Sequence, residues 1–408
     1  MRFAILTQYY PPEIGAPQRR LSSLARHFVA AGHDVSVLTA MPNYPMGRVH
    51  DGYGGVARRE EMDGVHVLRA FIYPTQKTDY AHRLANYFSF AASSVAVGWP
   101  GLARLDFLMV ESPPLFLGPS GVWMSRLKGA RLIFNVSDLW PESAVRLGMV
   151  REGSTVHRVS ARLERYCYER SWLITGQSRE IIADIEHRFP GRRTYHLSNG
   201  VDCAEFGAQR ATSDARATLG ALDGACVAVY AGLHGIAQGL SQLLAASNAL
   251  RAAPAVPLDM VLIGDGPVKR ALVDEARDLG LDRVRFLAAR PAAELPALLA
   301  SADILVVPLG LGIPGAVPSK LYEAMASGRP VVLVATGEAA DIVRRHEAGM
   351  VIEPNDIAGL ANALRTLSAN PDLRRRLGAN GRRAAEACFD RAAIARQFIA
   401  TIEEARRP

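Results

Sequence analysis

Short apolar runs alternate with longer amphipathic stretches along the whole chain, which is the pattern of parallel α/β units. In the first half, apolar runs predict five buried strands, and the 3.6-residue spacing of apolar positions predicts two helices between them. The predicted strands are 2–6, 35–38, 107–110, 132–136 and 172–175, and the predicted helices are 17–31 and 156–171.

The second half repeats the pattern, with predicted strands at 227–230, 260–263, 284–286, 304–307 and 331–334, and with final helices at 371–383 and 391–407. Each strand is followed by glycine, proline or another small residue, so ligand-binding loops are expected at the carboxyl ends of the strands. A turn-rich link, 197–202, separates the halves. We therefore predict domains at 1–197 and 198–385, with 386–408 as a candidate addition to the first.

Composition supports a two-domain globular protein: 408 residues, 49% hydrophobic and 21% charged. The four cysteines are scattered, which disfavours a zinc site or a disulfide framework, and the apolar run at 3–6 is too short for a signal peptide. A cytoplasmic location is expected. The net charge of +7 lies in residues 1–200, which hold 24 basic and 17 acidic residues. This excess indicates either a solvated surface or attraction to an anionic membrane or diphosphate-lipid; nucleic acid is disfavoured.

The stretch 84–103 has no charged residue and has the length of a membrane span. Polar residues dilute it and Pro100 interrupts it, so a buried or surface-lying helix is favoured over a span.

The candidate chemistry of the first half follows two predicted strands. The loop 7–17 lacks the G-x-G-x-x-G pattern of dinucleotide sites, but Gly15 and Ala16 permit close approach of a ligand to the backbone. Asp138 follows the strand 132–136, where catalytic groups are common in such sheets. A plain structural loop and a helix N-cap are the respective alternatives.

In the second half, Gly232, Gly235 and Gly239 form a glycine-rich turn whose N–H groups could hold a pyrophosphate. His234 is either a pocket donor or a turn residue. Further candidate donor contacts are Gln238, Asp265, Gly266 and Arg290.

The segment 318–330 predicts a short helix that starts at Pro318 and Ser319, with Ser319 as the N-cap, and that ends at Gly328. The free N–H groups of such a start favour an anion, and Lys320 adds a full charge. Glu323 would fall at the fourth helical position, too late to cap, and could accept hydrogen bonds from a ribose. The predicted donor contacts here are Pro318, Ser319, Lys320, Leu321 and Glu323.

Together these residues resemble the family 4 glycosyltransferases, which are retaining enzymes of the GT-B fold. The most specific segments are Ser-Asn-Gly-Val-Asp at 198–202, Gly-Asp-Gly-Pro at 264–267 and Pro-Ser-Lys-Leu-Tyr-Glu-Ala-Met-Ala-Ser-Gly at 318–328. The segments Tyr-Tyr-Pro-Pro-Glu, Pro-Asn-Tyr-Pro, Glu-Ser-Pro-Pro and Asp-Leu-Trp-Pro-Glu are similar to those of the subgroup that adds N-acetylated deoxyamino sugars in bacterial O-antigen and exopolysaccharide assembly.

The resemblance implies an α/β architecture of two Rossmann-like parallel-sheet domains facing across a cleft, an acceptor domain followed by a donor domain, with the last helix returning to the first. It implies that Glu323 binds the ribose, that Ser319 and Lys320 lie at the diphosphate, and that Asp138 lies near sugar and acceptor. The predicted catalytic residues are Asp138, Lys320 and Glu323.

The sequence departs from the family pattern in three features, which involve four positions. Gly315 stands where the family commonly has a glutamate that touches the donor sugar. His234 and Gln238 lie where the family usually has Arg and Lys, and Ser137 replaces a frequent histidine. Lys320 must therefore carry more of the charge neutralisation.

The predicted activity is metal-independent, retaining transfer of a sugar, an N-acetylated or deoxyamino hexose, from a UDP-sugar to a lipid-linked saccharide. The sequence contains no Asp-x-Asp pair, so a metal site is not indicated, and no cofactor is expected. Alternatives are a sugar-nucleotide epimerase or phosphorylase, or a silent nucleotide-sugar-binding subunit.

Overall fold

The computed structural model describes residues 1–77, 80–220, 224–251, 257–310 and 315–406. The chain forms two compact units: unit 1 is Met1–Asn199 together with the chain from Ala392 onward, and unit 2 is Gly200–Arg391. The sequence analysis placed these divisions at 197/198 and 385/386.

Unit 1 is built on an eight-stranded sheet in the order β3-β4-β2-β1-β5-β6-β7-β8. All described neighbours pair in parallel except β3 and β4. The strands are β1 (Arg2–Leu6), β2 (Asp34–Ala40), β3 (Ala57–Met62), β4 (Val65–Ala70), β5 (Phe107–Ser112), β6 (Arg131–Val136), β7 (Leu173–Gly176) and β8 (Thr194–His196).

Three of these strands, β3, β4 and β8, were missed in the sequence. Strand β3 is a charged, mostly exposed edge strand, so it lacks the apolar run that marks the buried strands. The signal that could have found the hairpin is the dipeptide Asp63-Gly64, where both residues take positive φ (53° and 75°), as a two-residue hairpin turn requires.

The helices of unit 1 cover both faces of its sheet, and buried residues on the two faces form separate apolar cores. The helices between these strands are α1 (Ala16–Ala30), α2 (Tyr80–Gly101), α3 (Gly118–Lys128), α4 (Glu142–Arg146), α5 (Thr155–Arg170) and α6 (Arg179–Arg188).

Helix α2 contains most of the charge-free stretch, and it packs inside unit 1 rather than standing alone. Its Asn86 is buried, accepts a 2.9 Å hydrogen bond from Nε2 of Gln8 and donates a 2.7 Å bond to the Tyr73 carbonyl. Among the described residues, no helix has both the length and the apolar character needed to cross a bilayer. The expectation that this stretch is a helix packed on the protein is confirmed.

Unit 2 is built on a six-stranded, all-parallel sheet in the order β11-β10-β9-β12-β13-β14. Its strands are β9 (Cys226–Ala231), β10 (Leu258–Ile263), β11 (Val284–Leu287), β12 (Ile304–Pro308), β13 (Val331–Val334) and β14 (Gly349–Ile352). Its helices are α7 (Ser213–Thr218), α8 (Ser241–Arg251), α9 (Lys269–Asp278), α10 (Leu295–Ala300), α11 (Ser319–Ala326), α12 (Gly337–Arg345), α13 (Ile357–Ala369) and α14 (Pro371–Cys388).

The strand order of unit 2 reverses between β9 and β12, and parallel sheets generally bind ligands at such a point, beyond the carboxyl ends of the strands. The loop after β9 carries the glycine-rich turn, and helix α11 follows β12. The topology therefore brings together two segments that are about 80 residues apart in the sequence.

The last helix, α15 (Arg391–Arg406), belongs to unit 1 from Ala392 onward. The apolar residues Ala395, Phe398, Ile399 and Ile402 recur at helical spacing and are buried in the core of that unit. Phe398 contacts Phe28 of α1, with ring centroids 6.2 Å apart. Residue 407 of the predicted helix lies outside the described residues.

Candidate functional site

Helix α11 begins at Ser319, one residue earlier than predicted. The N-cap is Pro318 (φ −68°, ψ 134°), not Ser319, and among the described residues no side chain caps the helix. The extended conformation of an N-cap suits proline, which needs no N–H there, so Ser319 becomes the first helical residue and Glu323 the fifth rather than the fourth. The predicted C-terminal end is confirmed, since Gly328 adopts the left-handed conformation (φ 69°) after the cap Ser327.

Lys320 extends from this helix start across the glycine-rich turn. A Cβ built on Gly232 would overlap Cε of Lys320 and lie 2.6 Å from its Nζ. Glycine is therefore the residue that leaves room for the lysine to lie against the backbone. The fold thus brings Lys320 and Gly232 together, as the sequence analysis expected for two parts of one phosphate site.

Burial lowers the pKa of Lys320, and the nearby Glu323 carboxylate partly opposes this. The ammonium group is thus poorly solvated in the free protein. An anion placed beside it would favour the charged form, so this lysine is suited to neutralising a diphosphate.

The glycine-rich turn is joined to the Gly-Asp-Gly-Pro loop by backbone hydrogen bonds. The Gly232 N–H donates to the Ile263 carbonyl (2.8 Å), and the His234 N–H donates to the Asp265 carbonyl (2.8 Å). The Asp265 carboxylate accepts from the Gly266 N–H (2.8 Å), and Lys269 Nζ donates to the Gly264 carbonyl (2.7 Å). These bonds hold two of the predicted loops as one rigid platform at the carboxyl end of β9 and β10.

The side chain of His234 is fully buried in this platform, between the rings of Tyr230 and Phe286, whose centroids are 5.9 and 6.3 Å from its own. Burial, and then the charge of Lys269, lowers the pKa of His234. The structure gives this residue a packing role, and a contact of its ring with a donor stays a prediction.

The remaining predicted contacts of unit 2 lie in three places. Gln238 and Gly239 lie with the turn: the Gln238 side chain folds over Gly235, and Ala237 accepts a 2.8 Å bond from the N–H of Gly310, which follows β12. Arg290 instead lies beside Glu294, with Nη1 and Oε2 3.9 Å apart. Leu321 is buried in the core of the unit, so its side chain anchors α11.

Gly315 precedes the helix with φ at 72°, a conformation that disfavours any residue with a side chain. The glycine that replaces the family's usual glutamate is thus matched to the local backbone. A glutamate introduced here would be strained unless the loop changed its path.

In unit 1, Asp138 lies just past the end of β6, which is the position predicted from the sequence, and the residue is half-buried. Its carboxylate accepts a hydrogen bond from Ser143 Oγ in α4, so it does not cap that helix, whose N-cap is Pro141. Burial raises the pKa of Asp138, and the bonds from Ser143 and from the Leu139 backbone act against that rise.

A buried ion pair that the sequence analysis missed supports the loop of Asp138. Nη2 of Arg20 lies 2.5 Å from Oε1 of Glu111 and 2.9 Å from Oγ of Ser137. Asn135 also donates to Glu111 (2.5 Å). Glu111 could have been found by its place at the end of β5, whereas nothing local marks Arg20, which lies on α1.

Glu13 joins the Tyr-Tyr-Pro-Pro-Glu segment, to which it belongs, to the Pro-Asn-Tyr-Pro segment. Its buried carboxylate accepts 2.8 Å bonds from the N–H groups of both Asn43 and Tyr44, and a 3.3 Å bond from Tyr10. The loops after β1 and β2 are therefore held together. Gly15 is the N-cap of α1 and Ala16 its first residue; their contact with a donor stays a prediction.

Both halves of the chain match known protein domain families. Residues 15–200 match the glycosyl transferase 4-like domain, and residues 213–384 match the glycosyl transferases group 1 domain. The chain belongs to the family 4 glycosyltransferases. These matches favour a transferase over the epimerase, phosphorylase or silent-subunit alternatives.

Individual relatives support the family and the fold. A glycosyltransferase of Escherichia coli K12, provisionally named as the colanic acid biosynthesis enzyme WcaI, is 26% identical over 98% of this chain and 99% of its own. Sucrose-phosphate synthase from Thermosynechococcus elongatus has the same fold, with a TM-score of 0.76 at 20% identity over 99% and 98% of the chains. Anabaena Alr3699/HepE, solved with UDP and glucose, gives 0.70 at 18% over 99% and 100%. The fold is GT-B.

Proposed function

We propose that this glycosyltransferase retains the anomeric configuration, needs no metal, and moves an N-acetylated or deoxyamino hexose from a UDP-sugar to a lipid-linked saccharide. The observation that carries the donor part is the placement of Lys320 over Gly232 at the start of α11. The HepE structure with UDP and the WcaI name support a UDP-sugar and a surface polysaccharide.

The diphosphate of the donor is proposed to lie at the start of α11. The N–H groups of Ser319 and Lys320 have no partner within the helix, and no side chain in the part of the chain that the structure describes caps them. These dipoles and the Lys320 ammonium stabilise the negative charge that develops on the departing diphosphate. Glu323, one turn further along, accepts hydrogen bonds from the ribose hydroxyls.

In the proposed reaction, the bond between the anomeric carbon and the diphosphate oxygen breaks while the acceptor oxygen bonds to that carbon from the same face. The acceptor proton passes to the departing phosphate, so no protein nucleophile is required. Asp138 is proposed to lie near sugar and acceptor, where its carboxylate orients the acceptor hydroxyl.

Unit 1 is proposed to bind the acceptor at the cytoplasmic face of the membrane. Besides its basic excess, it exposes Trp99 and Trp123 (each 60%) and Leu127 on the packed helices α2 and α3. Arg126 and Lys128 lie on α3 beside them. Exposed tryptophan combined with basic side chains is typical of surfaces that rest on anionic lipid.

The donor is tested by thermal shift with UDP, GDP, dTDP and ADP, followed by UDP-sugars. A true ligand at 100 times its dissociation constant adds about 2.7 kcal/mol to stability. Product analysis with a labelled UDP-sugar and a polyprenyl-diphosphate saccharide then tests transfer. Epimerisation of the donor without acceptor, or a need for inorganic phosphate, would contradict the proposal.

Membrane contact is tested separately, by sedimentation with anionic vesicles at low salt. The variant Trp99→Ala/Trp123→Ala should bind several-fold more weakly than wild type, and binding should fall as salt rises. Unchanged binding of the variant would reject this surface.

A further inference from the structure

A second candidate site lies at the amino ends of the strands of unit 2, opposite the end that carries the proposed donor site. A cavity of about 520 Å³ lies there, lined in part by Asp303, Arg329, Arg374, Arg375 and Arg382. We call it the arginine pocket. Its volume is in the range of cavities that hold small ligands, roughly 300–1,000 Å³.

The arginine pocket is separate from the proposed donor site. Asp303 immediately precedes β12, and Arg329 lies two residues before β13, so the pocket is at the amino ends of these strands. Gly232 follows the carboxyl end of the neighbouring parallel strand β9. A strand of five residues spans roughly 16 Å, so one small ligand cannot occupy both places.

Carboxylates compensate only part of the positive charge. Asp303 pairs with Arg216 (2.8 Å), Arg382 pairs with Glu386 (2.7 Å), and Arg375 pairs with Asp372 at the exposed rim. Within the described part of the chain, neither Arg329 nor Arg374 has a carboxylate within 4 Å. The pocket therefore carries two guanidinium groups without a directly paired anion.

These two arginines bond to backbone carbonyls instead. Arg329 Nη2 donates to the Ala300 carbonyl, and Arg374 Nη1 donates to those of Leu367 (2.5 Å) and Ser368 (2.8 Å). Nε of Arg329 is buried and finds no acceptor among the described residues. Burial lowers the pKa of Arg329, and the charges of Arg216 and Arg374 add to this effect, while Asp303 opposes it.

Arrangements of this kind are found where proteins bind phosphate, because guanidinium groups match phosphate oxygens in geometry and charge. We propose that the arginine pocket is a second anion site, which binds a phosphate-bearing ligand carrying one or two phosphate groups. The ligand is either a free phosphate compound or the phosphate of a lipid headgroup.

The first experiment is calorimetric titration of inorganic pyrophosphate into the full chain carrying Lys320→Ala, which removes the donor-site cation. Binding should persist in this background and should weaken about tenfold or more with Arg375→Glu, because this change puts a carboxylate into the lining beside Arg329 and Arg374 and repels the anion that they hold. The matched control is Arg376→Glu. Arg376 is exposed on the same helix as Arg375, but it does not line the pocket. Both substitutions change the net charge by the same amount, so only a specific site distinguishes them.

The second experiment repeats the comparison with vesicles that contain phosphatidic acid. Selective loss with Arg375→Glu in this arm alone identifies a headgroup as the source, and selective loss with pyrophosphate identifies a free phosphate compound. Because Arg375 and Asp372 are both exposed, the variant should fold, which circular dichroism checks. If neither probe distinguishes Arg375→Glu from Arg376→Glu, the proposal is overturned.

Discussion

A methyl group on Gly232 should disable the donor site by displacing Lys320. The added Cβ would overlap Cε of the lysine and lie 2.6 Å from Nζ, which is closer than such atoms can approach. The lysine side chain is the flexible partner, so it would move off the turn. Gly232→Ala should therefore reproduce the loss of Lys320 without removing its charge from the protein.

The magnitude follows from the contact that is lost. A hydrogen bond between a charged donor and a phosphate is worth about 1.5–3 kcal/mol, so UDP should bind about 10- to 150-fold more weakly to Gly232→Ala, as to Lys320→Ala. The backbone conformation of Gly232 (φ 156°) adds some strain for alanine, which should lower stability in any background. The two effects are separable in a double-mutant cycle.

The assay is calorimetric titration of UDP into wild type, both single variants and the double variant. In the Lys320→Ala background, Gly232→Ala should cost little further affinity, since the group it displaces is already gone. Gly280→Ala is the matched control, because it strains another glycine of unit 2 with positive φ (61°), while its Cβ would make an ordinary 3.6 Å contact with Nη1 of Arg251, away from the predicted donor contacts. Fully additive losses, or an equal loss in the control, would refute the reasoning.

Three other predictions test further residues, one in unit 2 and the others in unit 1. Glu323→Ala should weaken UDP about tenfold or more but leave pyrophosphate binding unchanged, because only UDP has ribose hydroxyls; equal losses for both in calorimetry would contradict the ribose contact. Ser143→Ala should raise the pKa of Asp138 further, so the acid limb of the kcat/KM profile should move to higher pH if the carboxylate acts in its ionised form. Asp138→Asn should remove that limb. A profile that does not move would count against the proposed role of Asp138 in orienting the acceptor. Glu111→Ala should cost about 3–5 kcal/mol in urea unfolding because Arg20 stays buried and unpaired, whereas Arg20→Met/Glu111→Ala should recover part of that loss; no recovery would argue against an ion-pair effect.

The sequence predicted best those features that depend on local pattern. Strands such as β1 and β13 were located to the residue, since continuous apolar runs in a parallel sheet are buried on both faces. The turn at Gly328 was likewise predictable, because a left-handed helix end strongly favours glycine. The hairpin β3–β4 was missed because β3 is an exposed edge strand, and such a strand does not need an apolar run.

The cap of α11 shows where local rules were insufficient. Serine is the better N-cap by side-chain chemistry, but Pro318 takes that position, and the helix start is left without a side-chain cap. An uncapped start leaves its N–H groups for another acceptor, which is the property the proposed donor site needs.

The sequence by itself determined the two α/β series, the glycine turns and the charged residues of α11, because each depends on neighbours within a few positions. Only the tertiary structure decided that Lys320 lies over Gly232 and that Arg20 neutralises Glu111. It also decided that four arginines share a pocket at the amino ends of β12 and β13. The physical reason is the strand order. Because β9 pairs with β12, loops that are distant in sequence meet at the carboxyl ends of these two strands. No periodicity along the chain predicts which strands will be neighbours.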